Sequence, residues 1–203
     1  MQADSPKLTL SKARFEAFSD GVFAIAITLL VLELHLPARI SALSSNTAQA
    51  HALLHLWPAY LVYGASFATI GIMWLNHHAL FRFCKNITHG IVIANLFLLM
   101  LISFLPFPTE VLGQFGISRS AVVYYGIVLI GIAVGYFFVH QQVLAAEGLP
   151  RRVTAWNLVG LLLYPTATLV GYFVPLAGIV VFAVLALFYM IPKNVQSVAM
   201  TTK

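Results

Sequence analysis

Residues 15–36 read FEAFSDGVFAIAITLLVLELHL, an apolar run broken by the carboxylates Glu16, Asp20 and Glu33. Its length suits the roughly 20 residues an α-helix needs to cross a bilayer. Five further apolar runs follow, at about residues 53–75, 87–107, 121–139, 153–174 and 175–191. Inside hydrocarbon every backbone polar group needs an internal partner, which only helices and closed barrels provide, and these runs are too long for barrel strands. The expectation is an all-α, polytopic membrane protein with six transmembrane helices. The last two runs abut at Val174 and Pro175, which predicts a tight hairpin with Pro175 starting the final helix.

Composition agrees. Of 203 residues, 61% are hydrophobic and 8% charged, with a mean hydropathy of +0.92. A soluble domain carries roughly 25% charged residues. A soluble enzyme, a nucleic-acid binder and a disordered regulator are therefore excluded as classes. The net charge of +5 comes from 11 Lys and Arg without a basic run, so it reads as orientation charge and not as a nucleic-acid footprint. With the N-terminus in the cytoplasm, Lys7, Lys12, Arg14, Arg82, Lys85, Arg151, Arg152, Lys193 and Lys203 lie inside and only Arg39 and Arg119 outside. That asymmetry, with six crossings, predicts that both termini are cytoplasmic. A cleaved signal peptide does not fit the first run, which contains Asp20, reaches Glu33 and has no small-residue cleavage site after it. Residues 1–193 are read as a single six-helix domain, 46–51 as part of an outer loop and 194–203 as a short cytoplasmic tail. With no extramembrane segment large enough for a catalytic site, no enzymatic activity and no cofactor are expected. Cys84 is the only cysteine, so it forms no intrachain disulfide and reads as a small helix-end residue.

The chemistry concentrates near Asp20. A carboxylate at the centre of a membrane helix costs about 2.5–3.5 kcal/mol on insertion scales, and less toward the ends. Asp20 lies one to two turns inside the cytoplasmic end of the first helix. The antiparallel second helix brings Trp74, Asn76, His77 and His78 to the same depth. His77 or Trp74 is therefore a hydrogen-bonding partner for Asp20, and Arg14 a source of balancing charge. One reading is a proton relay or ion site built from Asp20 and His77; the other is a polar lock between the two helices. At 100° per residue, Ile25, Leu29 and Leu32 fall within about 60° of one another, with Thr28 on their flank and Asp20 about 140° from Ile25. If that stripe lines a pore, Asp20 points back into the protein, which favours the lock. The ordinary reading of the stripe is contact with lipid or another helix.

Residues 14–20, RFEAFSD, match an R-x-x-x-F-S-D pattern at the start of a first membrane helix and continue as GVFAIAITLL. This resembles the transmembrane protein 175 family of potassium channels, found in endosomes, lysosomes and bacteria. Trp74 and His77 at the end of the second helix are similar to the family as well, and the six-helix count extends the resemblance over essentially the whole chain. The resemblance implies a potassium-preferring channel whose pore is lined by the first helix of each repeat, without a separate filter loop. It implies that the constriction is Ile25, five positions after the motif aspartate, with Leu29 and Leu32 continuing the lining and Thr28 at a position tied to selectivity. Arg14, Phe18, Ser19 and Asp20 of the motif, with Trp74 and His77, would form a structural network. Eukaryotic members carry two six-helix repeats and pair up. This chain carries the motif once, so a homotetramer is implied, placed by similarity to the bacterial members in the cell membrane.

A ring of four Ile25 side chains would gate by dewetting, and four Thr28 hydroxyls would replace part of a cation's hydration shell. Glu33, about 80° off the stripe, would either raise the local cation concentration at the outer mouth or sit as an interfacial charge in water. Other patterns carry less. Residues 133–137, AVGYF, lack the Thr and second Gly of a T-V-G-Y-G filter and fall in mid-helix. His77 and His78 point about 100° apart and cannot both face one ion. His51 and His55 share a face at i, i+4 and form a candidate outer zinc pair. Pro106 and Pro108 read as termination of the third helix. The alternative function is a proton-coupled secondary transporter using Asp20 and His77.

Overall fold

Ser11 caps the first helix, its Oγ accepting the Arg14 N–H at 3.4 Å, and α1 runs over Lys12–Leu29 before tightening into a 3-10 turn at Leu30–Glu33. In this computed structural model residues 11–36, 45–151, 153 and 155–189 are described. Lys7, Arg39, Arg152, Lys193, Lys203 and the 194–203 tail lie outside them. The remaining helices are α2 (Asn46–His55), α3 (Trp57–Phe81), α4 (His89–Phe104), α5 (Pro106–Phe115), α6 (Arg119–Ala146), α7 (Ala155–Phe173) and α8 (Pro175–Tyr189). Among the described residues four segments are long and apolar enough to cross a membrane: Lys12–Glu33, Trp57–Phe81, His89–Phe115 and Arg119–Ala146. α7 and α8 are shorter apolar helices.

Three boundaries differ from the sequence reading. Residues 46–51 are not loop but the start of α2, which has no buried residue. The second run begins at Trp57 and carries on past Leu75 to Phe81, because Asn76, His77 and His78 keep helical backbone despite their polarity. The third run does end near Pro106: α4 stops at Phe104. Pro106 then opens a new helix, α5, which extends the apolar segment to Phe115, since a proline that cannot continue one helix is well suited to the first turn of the next. The predicted turn at Val174 separates α7 from α8 as expected. Residues 133–137 lie within the unbroken helix α6.

The chain folds around α6, half of whose spanning window is buried against 28% for α1. α1 packs on α3 and α4, while α7 and α8 pack on α6 and α3. α1 and α3 are antiparallel: the Phe15 and Phe81 rings lie 4.9 Å apart at one end, and Ile27 approaches Gly71 farther along. Mid-bundle, Ser66 on α3 shares hydrogen bonds with Thr109 of α5 at 2.8 Å and Tyr125 of α6 at 2.9 Å, so these buried hydroxyls satisfy one another. At the end that holds Phe81, Glu147 accepts the backbone N–H of Lys85 at 2.6 Å, tying the α3–α4 and α6–α7 connections together. Cys84 lies buried in this tie, three residues beyond α3. Burial, reinforced by Glu147, pushes its thiol up and keeps it protonated.

The α7–α8 hairpin is closed by two glycines. A Cβ on Gly178 would fall 2.5 Å from Cα of Gly171 and 3.1 Å from Val122 Cγ1, so the helices approach as only glycine permits. A Cβ on Gly64 would meet nothing within 4 Å. Thermal unfolding in detergent should show Gly178→Val destabilised by about 1–3 kcal/mol through overpacking. Gly64→Ala should be neutral or stabilised by up to about 1 kcal/mol.

Candidate functional site

α1 divides into two arcs. Phe15, Ser19, Phe23, Ala26 and Leu30, spaced by three or four residues, are buried against α3 and α4. The opposite arc carries Phe18, Ile25, Leu29 and Leu32 in one file, with Ile25 62% and Leu32 64% exposed. Thr28 stands beside this file, also exposed. Its Oγ lies 2.9 Å from the carbonyl oxygens of both Ala24 and Ile25. The hydroxyl proton is therefore held by the helix backbone, and the oxygen presents lone pairs to the open side.

The buried arc is joined to two other helices by a polar chain. Ser19 donates to the Phe15 carbonyl at 3.0 Å and accepts from Nδ2 of Asn95 on α4 at 2.9 Å. Asn95 Oδ1 in turn accepts from Nε2 of His77 on α3 at 2.8 Å. All three side chains are almost fully buried. The His77 ring is packed between Phe23 at 5.3 Å and Phe81 at 4.5 Å, which leaves Nε2–H aimed at the amide oxygen.

Asp20 lies outside this chain. It is exposed, at the edge of the outward arc and not turned into the protein, and Oδ1 accepts the indole N–H of Trp74 at 2.8 Å. The two residues flank a groove between α1 and α3 whose floor is Phe23, Ala24, Ile27, Ile70 and Gly71. Of the two partners the sequence suggested for Asp20, the structure supplies Trp74 and gives His77 to Asn95. Arg14 is exposed, and among the described residues an ion pair at this end of α1 joins Lys12 to Glu16 at 3.7 Å. His51 and His55 are both exposed on α2. Sequence reasoning missed Asn95, although an amide midway along the apolar 87–107 run was a visible signal, because a polar group there needs a partner.

The sequence profile of the family described as "Endosomal/lysosomal potassium channel TMEM175" matches residues 14–106. A potassium channel of Chryseobacterium is 34% identical over 191 residues, which are 91% of this chain and 95% of the relative. The chain belongs to the TMEM175 family. Family members are ion channels and not enzymes. A second relative, a potassium channel of Chamaesiphon minutus, is 44% identical over 124 residues, 60% of either chain. The crystal structure of a lysosomal potassium-selective channel TMEM175 homolog from the same organism superimposes with a TM-score of 0.75 at 34% identity, covering 88% of this chain and 96% of that one. The region matched by the TMEM175 profile contains the motif on α1, Trp74, His77 and Asn95.

Replacing Asn95 by Ala orphans the buried His77 N–H, at a cost of about 1–3 kcal/mol. Trp74→Phe removes a bond at an exposed edge, where Asp20 finds solvent instead. Thermal unfolding of the two variants should therefore rank Asn95→Ala as the more destabilised; the reverse order would assign the helix-locking role to the Asp20–Trp74 pair.

Proposed function

We propose that the chain is the subunit of a potassium-preferring cation channel of a bacterial plasma membrane, with four copies arranged so that α1 of each lines a shared pore. The single observation carrying this reading is the outward file on α1. Phe18, Ile25, Leu29 and Leu32 are exposed along one line while the opposite arc is buried, in a chain whose relatives bear the name potassium channel. Potassium ions and the lipid bilayer are then the partners, and no nucleic acid is involved.

In this arrangement Ile25 is the constriction. Four branched apolar side chains exclude water from a narrow ring, and ions pass only when the ring widens. Thr28 lies one turn farther along the pore axis. Its hydroxyl oxygen faces outward with its proton already engaged, so four such oxygens would replace part of a hydration shell. Hydroxyl rings are sparser than stacked carbonyls, which makes the preference for potassium real but modest. The motif network serves as scaffold: Ser19 through Asn95 and His77, Asp20 through Trp74, with Arg14 and Phe18 at the exposed inner end.

Topology follows the charges. Lys12, Arg14, Arg82, Lys85 and Arg151 belong to the end where Phe15 meets Phe81 and Lys85 meets Glu147, and Arg119 begins α6 at the other. The first end is read as cytoplasmic. α7 and α8, at about 1.5 Å per residue, are read as the fifth and sixth crossings, which returns the C-terminus to the cytoplasm.

Single-channel recording of the purified protein in lipid should give discrete unitary currents. Slow saturating flux without unitary events would favour a proton-coupled transporter using Asp20 and His77. Ile25→Asn should wet the constriction and raise conductance severalfold; unchanged current would remove Ile25 from the gate. Asp20→Ala should lower the yield of folded tetramer more than it changes ion preference. Normal assembly with loss of proton dependence would instead make Asp20 part of a relay.

A further inference from the structure

Three metal-ligating side chains converge at the end of α1 opposite Asp20. Glu33 closes the 3-10 turn, His35 follows two residues later and Glu110 projects from α5. One ligand atom of each lies within 4.8 Å of the other two. Gly113, three residues beyond Glu110, packs on the Glu33 backbone, where an added Cβ would sit in ordinary contact, 3.5 Å from the Glu33 carbonyl oxygen. The two elements that supply the ligands are thus held side by side by backbone contact, and the convergence does not depend on the charged groups themselves.

We propose that Glu33, His35 and Glu110 form a divalent-metal site of the zinc class at the outer end of α1. Two features beyond proximity orient the donors. Nδ1 of His35 lies 3.1 Å from the Glu33 carbonyl oxygen, a bond that requires Nδ1 to carry the proton and so leaves the Nε2 lone pair for a metal. A ligating histidine typically donates its second ring N–H to a backbone carbonyl or carboxylate in this way. Glu110 is held in turn by Gln114, which is outside the triad: Nε2 donates to Oε1 at 2.7 Å, and Oε2 is left to coordinate. Hydrogen bonds of both kinds, made to a metal ligand by a neighbouring group, fix ligand orientation and raise metal affinity.

Charge and donor type set the metal class. Two carboxylates close together repel each other, and a divalent cation between them relieves that repulsion while neutralising both. One imidazole with two carboxylates suits zinc and its neighbours, whereas magnesium and calcium prefer all-oxygen shells. Tetrahedral ligands about 2.1 Å from zinc lie about 3.4 Å apart. With its ligand atoms all within 4.8 Å of one another, the triad needs to close by at most about 1.4 Å, a movement that side-chain rotation provides at partly exposed residues. Three protein ligands leave the fourth position open to water. Metal in the site would tie the outer end of α1 to α5 immediately beyond Leu32. That consequence for conduction rests on the channel reading; the site does not.

Isothermal titration of the purified full chain in lipid nanodiscs with zinc chloride tests the proposal. One zinc per chain is expected, weakened tenfold or more by His35→Ala and by Glu110→Gln, and unchanged in a His51→Ala, His55→Ala double variant. Wild-type affinity in both triad variants, or loss of binding in the His51/His55 variant, overturns it. Magnesium chloride binding as tightly as zinc also overturns the metal class. Zinc added to the outer side should lower single-channel current in the wild type but not in Glu110→Gln; binding without that effect refutes the link to α1 while leaving the site intact.

Discussion

A polar group in a membrane helix has no water to turn to, and the bundle is organised around how it meets that requirement near Ser19. Asn95 is the hinge of the arrangement: its amide nitrogen reaches α1 through Ser19 and its amide oxygen reaches α3 through His77. A hydrogen bond between membrane helices averages only about 0.6 kcal/mol, with the best near 1.7. Direction matters more than that magnitude. Any rotation of α1 that withdrew Ser19 would strand the Asn95 amide N–H in an apolar core, at about 1–3 kcal/mol for a buried unsatisfied group. The chain of bonds therefore sets the rotation of α1 about its own axis.

The outward file follows from that rotation. Ile25 lies six residues after Ser19, about 120° around the helix, so with Ser19 buried Ile25 faces away from α3 and α4. Phe18, Leu29 and Leu32 fall on the same side, and their exposure in the single chain is the geometric result of a bond made elsewhere. Asp20, next to Ser19, is carried to the rim, where Trp74 supplies one donor to a carboxylate that stays accessible. α1 is also the least buried of the four long segments. It is thus held through one arc near Ser19, and at its Glu33 end mainly by the packing of α5 against the 3-10 turn.

Much of this was legible in the residues because membrane helices obey a length rule and a charge rule that are both local. The six apolar runs, the break near Pro106 and the turn before Pro175 all correspond to helices or helix ends. Less legible were α2, whose ten residues have no apolar periodicity and bury nothing, and α5, hidden behind a proline that reads as a stop from one direction and as a start from the other. The polar end of α3 was also undercut: hydropathy falls at Asn76, but a helix continues where its polar side chains find partners, and His77 found Asn95.

What the sequence by itself determined was the class of molecule and the candidate residues on α1, since composition, run length and the R-x-x-x-F-S-D motif depend on neighbours along the chain. Tertiary structure decided the pairings. His77 went to Asn95 and Trp74 to Asp20, although both donors stood within reach of the aspartate on any helical wheel. Glu110 came to lie beside Glu33 and His35 from 77 residues along the chain. Periodicity places a side chain on a face of its own helix; which helix meets that face depends on packing volume and on the joint satisfaction of all buried polar groups, and neither quantity is written in a local stretch of sequence.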